Sequence, residues 1–326
     1  CPKFEVFVSQ IVYESHILVI QEIFGYCLWR QGTESIKRAV MLLGGGNNGK
    51  SLLCAILKEL LGAENVCGAS LVSLSESRFA SAQLRGKLAN INPDIPDRAL
   101  RETGIFKALL GDDLVNAEIK HGGFFQFVNQ AKLIFSANKL PESNDDSEAF
   151  YDRWTIVNFP YKFVYWNGLS NLGDFERPAK NKNKLKAELL KELPGILNWS
   201  LDGLKRLRED DCFSNMMTTE MTRELWMKMS NSCMAFVMEE CIFTGCSEDF
   251  ISKDEFHRRY ESYCQLRKLA PMKKEKIGRN LPSWFPGKVE DSKDWIGKER
   301  VRTWRSIRFK NEEEKANEQQ TLDGGR

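Results

Sequence analysis

The chain has 326 residues, 42% of them hydrophobic and 28% charged, and a formal net charge of +2. That length exceeds what one core usually holds and predicts two or three domains of ordinary globular composition. No apolar run reaches membrane-spanning length, no signal-peptide pattern is present, and nine scattered cysteines without a C-x-x-C pair argue against structural zinc and for reduced, intracellular thiols.

In chain order, residues 1–37 read as a helical lead-in, with Phe4, Val8, Ile11, Val12, Ile20 and Phe24 at helical spacing. The run Ala39-Val40-Met41-Leu42-Leu43 predicts a buried strand, and residues 52–61 predict a helix closed by Gly62. Between them stands Gly44-Gly45-Gly46-Asn47-Asn48-Gly49-Lys50-Ser51, the pattern G-x-x-x-x-G-K-[ST] in the strand, loop and helix setting that it requires. Glycines let backbone N–H groups approach phosphate without Cβ clashes, and a helix N-terminus adds the positive end of its dipole. Lys50 is expected to reach the β- and γ-phosphates of a nucleoside triphosphate, and Ser51 to hold Mg²⁺.

Strand patterns at 87–92, 132–137 and 154–159 alternate with helical segments, which predicts a largely parallel sheet within a nucleotide core over 38–165. A triphosphatase needs an acid at the end of a neighbouring strand. Asp94, after Pro93, is the candidate, and a plain turn residue between Pro93 and Pro96 is the alternative. Asn138 follows the 132–137 strand, where its amide suits a γ-phosphate or an attacking water, although Asn is also common in turns. Arg153 precedes the last strand, so its guanidinium suits either the phosphates of an adjacent subunit or a local pairing with Asp152. Residues 115–128 alternate apolar positions around Gly122-Gly123 and predict a hairpin, whose tip offers Lys120 and His121 to a phosphate backbone or to solvent.

Residues 166–247 read as a helical linker region, with helical periodicity from Asn181 to Glu209 split at Pro194-Gly195 and a helical Met stripe between 216 and 238 that reads as core. Ser252, with Glu255 three residues on, caps a helix that opens a small domain at 248–310. Ile251 to Lys310 holds 17 Lys/Arg against 8 Asp/Glu, so the expected partner is a polyanion, most simply nucleic acid. Residues 311–326 lack apolar periodicity and are expected to be a disordered tail.

Taken together, GGGNNGKS, KLANINPDIP, LLGDDLVNAEIKH, KLIFSANKLP and AFYDRW resemble the ordered motifs of superfamily 3 helicases, nearest to the primase-helicases of phages, plasmids and large DNA viruses. ELPGILNWSLDGLKRL at 192–207 is similar to the helical region that follows the ATPase there. The resemblance implies an α/β P-loop NTPase of the AAA-like kind using ATP and Mg²⁺, assembled as a homo-oligomer, expected to be a hexamer, on single-stranded DNA or a DNA fork at a site of viral or plasmid replication. It implies that Lys50 and Ser51 bind nucleotide and metal, Asp94 is the Walker B acid, Asn138 senses the γ-phosphate and Arg153 is an arginine finger acting across a subunit boundary. Lys120 and His121 would line a central channel. The C-terminal module resembles a winged helix, with Lys273, Lys274, Lys276 and Arg279 on its second basic helix and Arg300 and Arg302 on a β-wing. Members usually carry two acids where this chain has Pro93-Asp94, which brings in Asp97 as a second acid, and many have a primase domain upstream. A nucleotide-dependent DNA-binding scaffold with weak hydrolysis and a small-molecule kinase are the rival readings.

Overall fold

The computed structural model describes residues 1–30, 36–93, 95, 100, 102–120, 122–168 and 171–315. These fall into two compact units, Cys1–Arg223 and Glu224–Arg326.

The first unit starts with two helices where the spacing suggested one lead-in, α1 (Pro2–Ile11) and α2 (Ile17–Leu28). Pro2 sits in the first turn of α1, where its missing N–H leaves no bond unmade, and the extended backbone of Val12 ends that helix. Next come β1 (Ala39–Leu43), α3 (Lys50–Leu61), β2 (Val66–Cys67), α4 (Leu71–Glu76), α5 (Arg78–Ala82), β3 (Ala89–Asn92) and α6 (Gly104–Leu110). The strands β4 (Leu114–Glu118) and β5 (Phe124–Val128) form the expected antiparallel hairpin. Then follow β6 (Lys132–Ala137), α7 (Glu148–Tyr151), β7 (Trp154–Asn158), the short parallel pair β8 (Lys162–Val164) and β9 (Glu176–Pro178), α8 (Lys182–Leu190) and α9 (Leu193–Asp210).

Five strands make one parallel sheet in the order β2-β3-β6-β1-β7. Every residue of β1 and β6 is buried, as a strand covered on both faces must be. Successive side chains point to opposite faces: Val40, Leu42, Ile134 and Val157 join a core with α1, α2, α3 and α9, while Phe135 and Trp154 face Phe106 and Phe150. Phe106 stacks on Trp154 at 4.7 Å. Burying each such ring contributes about 2 kcal/mol. Helices α2 and α9 cross at glycine contacts, since a Cβ on Gly203 would lie 2.4 Å from the Gln21 carbonyl oxygen. Beside that crossing, the buried Glu22 carboxylate accepts from Arg206 Nε at 2.5 Å and from Ser214 N at 2.7 Å.

Helix α10 (Thr219–Ser230) spans the division between the units and stops before Asn231, whose side chain caps α11 (Ser232–Glu240) through the N–H groups of Cys233 and Met234. The Met-rich stretch is therefore two helices. The second unit continues with β10 (Cys241–Phe243), β11 (Phe250–Ser252), α12 (Lys253–Leu266), α13 (Lys274–Trp284), β12 (Glu290–Ile296), β13 (Glu299–Arg305) and β14 (Ile307–Phe309). Strands β11, β13 and β12 form an antiparallel sheet, and β10 pairs with β14. Ser252 caps α12 by accepting from Glu255 N at 3.2 Å. Phe236, Cys241, Phe256, Tyr260, Leu281 and Trp304 share one core, so α11 and β10 belong with this unit although a linker was expected to run to residue 247.

The expected tail is ordered at its start. Residues 312–315 form a helical turn, with Glu314 held by Arg308 at 2.5 Å and Lys315 by Glu240 at 2.7 Å, because charge pairing replaces the missing apolar face. Residues 316–326 lie outside the described residues.

Candidate functional site

The glycine loop runs from the carboxyl end of β1 to the first turn of α3. Gly44 N donates to Ala137 O at 3.1 Å, which ties the loop to the end of β6. A Cβ at Gly44 would lie 2.5 Å from Phe159 O, and one at Gly49 would lie 2.5 Å from Ile11 Cγ2. Gly49 also has φ +91°, a left-handed backbone that other residues resist. Both glycines are thus required by what backs the loop. Gly45 and Gly46 differ, for a Cβ on either would meet nothing within 4 Å. Their open side is where a ligand can approach the backbone.

Lys50 is buried, and its ammonium donates to Gly45 O at 3.0 Å, to Asn48 Oδ1 at 3.2 Å and to Gly44 O. Asn48 is buried too, with Nδ2 3.5 Å from Phe159 O, while the backbone of Asn47 accepts from Phe163 N at 2.7 Å. Ser51 is exposed on the first turn of α3. Cys54, one turn on, is buried and has its thiol pushed up to about 12 by that burial, with Lys50 pulling the other way. It is an inert packing residue.

Beside the loop lies a cavity of about 400 Å³, lined among others by Gln10, Phe163, Tyr165, Lys180 and Lys182. The sequence pattern gave no pointer to these residues, because the fold gathers them from α1, the β8 segment and the start of α8. Tyr165 is 91% exposed, an aromatic ring with no packing reason to be there.

The carboxyl edge of the sheet brings in Asn138, exposed and next to Ala137, whose register partner is Leu43. At the end of β3, Asn92 Nδ2 donates to Gly68 O at 3.1 Å, while its buried Oδ1 has no hydrogen-bond partner among the described residues. Sequence reasoning passed over Asn92 in favour of Asp94. Asp94 and Asp97 lie outside the described residues, as does His121. Among the described residues no group of three or more His, Cys, Asp or Glu is arranged to hold a metal.

Arg153 is at the opposite edge. It precedes β7, whose Trp154 pairs with Ala39 at the start of β1, so five strand steps, about 16 Å, separate it from the loop of its own chain. Its Nη1 donates to Ala149 O at 2.5 Å, and its buried Nε has no hydrogen-bond partner among the described residues. Asp152 accepts from Arg38 Nη2 at 2.9 Å, and no pairing of Asp152 with Arg153 is found among the described residues. At the same edge Lys132 is buried, donating to Arg30 O at 3.1 Å and Gln130 O at 2.9 Å over the Tyr26 ring, and burial lowers its pKa to about 8.

On the hairpin, Lys120 is exposed at the turn, beside Ile119, whose carbonyl accepts from Gly122 N at 2.7 Å. Ala117 and Val115 pack inward, and Arg78 and Arg85 lie over the Phe124 and Phe125 rings. In the second unit Lys273, Lys274, Lys276 and Arg279 are exposed on or just before α13, whose Ile277 and Leu281 face the core. Lys274 pairs with Asp254. Arg300 and Arg302 are exposed on β13.

Residues 42–153 match a family described as of unknown function, DUF5906. Over 204 residues the chain is 26% identical to a protein of Acanthamoeba polyphaga mimivirus named a putative helicase, covering 59% of this chain. The sequence is similar to that of a viral protein described as a helicase. The chain spans about a fifth (21%) of that relative's length. Among solved structures, the C-terminal region of NrS-1 in its apo form superposes with a TM-score of 0.49 at 14% identity, over 89% of this chain and 71% of that one. JCV helicase, bound to an acetamide compound, superposes at 0.29 and 15% identity, over 68% and 65%. Among the described residues no helix is long and apolar enough to cross a membrane.

Proposed function

We propose that the chain is the ATP-dependent motor of a replicative DNA helicase of the superfamily 3 type. The observation that carries this is the glycine loop, packed from behind at Gly44 and Gly49, open at Gly45 and Gly46, with Lys50 over its carbonyls and a 400 Å³ cavity alongside. The residues present fit a nucleoside triphosphate. Loop N–H groups and Lys50 would hold the phosphates, the Ser51 hydroxyl would help hold Mg²⁺, and Tyr165 with Phe163 offers the base an aromatic wall. The bound metal would draw charge from the phosphate oxygens.

The order β2-β3-β6-β1-β7 supports an AAA-like assignment, since β6, followed by Asn138, lies between the loop strand and the strand that precedes position 94. Asn138 then orients the γ-phosphate or water, and Asp94 serves as the acid. Arg153 is too far from its own loop and would act on a neighbour's, in a ring expected to be a hexamer. Lys120 and His121 on the hairpin would grip one strand in the channel. The helix, strand, two helices and hairpin of the second unit support a winged helix that brings Lys273, Lys276, Arg279, Arg300 and Arg302 to phosphates. A primase partner or upstream domain completes this picture for a replication protein.

Pro93, in place of a second acid, favours one other reading, a scaffold that binds nucleotide and DNA with little turnover. ATPase and fork-unwinding assays on wild type, Lys50→Ala and Lys120→Ala separate these readings. The helicase reading expects Lys50→Ala to lose both activities, and Lys120→Ala to keep basal hydrolysis but lose unwinding. Unwinding by both variants at the wild-type rate overturns it.

A further inference from the structure

The hairpin of β12 and β13 turns through Gly297-Lys298, with φ +62° at Gly297, the signature of a tight two-residue turn with glycine first. Just before that turn, Trp295 is 66% exposed and Ile296 is 47% exposed. An indole held in the open on a paired strand buries little of its apolar surface. Its surroundings give it a use.

Register pairs Trp295 with Arg300, Lys293 with Arg302 and Asp291 with Trp304, and the two-residue alternation of strands puts these six on one face. The inner third of that face is closed, because Trp304 is buried and Lys253 lies 3.7 Å from its ring centroid while pairing with Asp291 at 2.6 Å. The outer two thirds carry Lys293, Arg300 and Arg302, exposed and free of any ion pair among the described residues, around the indole. The cation on the other face is already neutralised: Arg305 Nε donates to both oxygens of Asp294 at 3.1 Å, and Thr303 Oγ1 donates to Asp294 at 2.5 Å. One side of the wing is therefore cationic and aromatic, and the other is internally paired.

We infer that the Trp295 face of this hairpin is a stacking platform for an unpaired base of a single nucleic-acid strand, with Lys293, Arg300 and Arg302 holding the flanking phosphates. The cations alone would serve duplex and single strand alike. The exposed indole discriminates between them, since only an unpaired base can offer its π-face to an aromatic surface. The platform rests on the proposal that the second unit contacts nucleic acid, and adds to it the form of nucleic acid preferred and the residue that selects it.

The test is fluorescence anisotropy of labelled oligothymidylate and of a blunt duplex of equal length, titrated with the full chain in the absence of nucleotide. Trp295→Ala is expected to weaken single-strand binding about tenfold and duplex binding less than twofold, and Trp295→Phe to recover most of the loss. Arg300→Ala should weaken both forms alike and flatten the salt dependence. An oligouridylate titration tells whether the strand is DNA or RNA. A photoreactive 5-iodouracil within the oligonucleotide should crosslink to the peptide carrying Trp295. Equal loss on duplex and single strand, unchanged binding by Trp295→Ala, or crosslinks only elsewhere overturns the platform. If the wild-type chain binds neither form, it is the nucleic-acid reading of the second unit that fails.

Discussion

The two edges of the parallel sheet are built by opposite rules. At the carboxyl edge the chain spends glycines and short polar side chains, leaving Gly45, Gly46, Ser51 and Asn138 open. At the amino edge it closes everything down: Lys132 is capped by two carbonyls, Arg38 is paired with Asp152, and the Trp154 ring is stacked on Phe106. Arg153 also lies there, with its Nε buried and without a hydrogen-bond partner among the described residues. Under the proposed function the difference has a consequence for assembly: each chain would carry half of a hydrolytic site at each edge, and a single copy would not bring the halves together.

Changes at the carboxyl edge should cost function first. Gly49→Ala forces an L side chain into φ +91° and pushes a methyl onto Ile11, so it should reduce nucleotide affinity by about a hundredfold, read by calorimetric titration with a non-hydrolysable triphosphate. An affinity within threefold of wild type would break the contrast between the edges.

Changes at the amino edge should cost stability and leave nucleotide affinity alone. Burial lowers Lys132 to about 8, so between pH 8 and the ordinary lysine range the unfolded chain binds more protons than the folded one. Stability attributable to this group therefore rises with pH in that window. Relative to Lys132→Met, the wild type should gain up to about 1.4 kcal/mol per pH unit in denaturant titrations, and parallel curves would refute it. The smallest effect belongs to Asp152→Ala, which removes a half-exposed partner of Arg38 and should lower stability by about 1 kcal/mol or less with unchanged nucleotide affinity. A larger loss would mean that this pair organises the edge around Arg153.

What the sequence revealed follows the range of the interactions. The strands at 39–43 and 132–137, the loop between 44 and 51 and the Ser252 cap are local patterns, and the structure has them at those residues. The base-side cavity was hidden because Gln10, Tyr165 and Lys182 come together only through tertiary packing. The stop at Asn231 was hidden for another reason, since apolar spacing continues across it while its side chain caps the next helix. Asn92 escaped notice because an amide in a buried strand looks like filler until its oxygen is found without a partner. Trp295 escaped because alternation assigns a face without saying which face is covered.

The central claim is that Arg153 completes a site on a neighbouring copy. The direct measurement mixes Lys50→Ala with Arg153→Ala chains and follows DNA-stimulated ATP hydrolysis. Each variant alone should be nearly inactive, and an equal mixture should recover activity in about a quarter of its seams, those that join an intact loop to an intact arginine. Full turnover by Arg153→Ala alone, or no recovery in a mixture shown to co-assemble, would contradict the account.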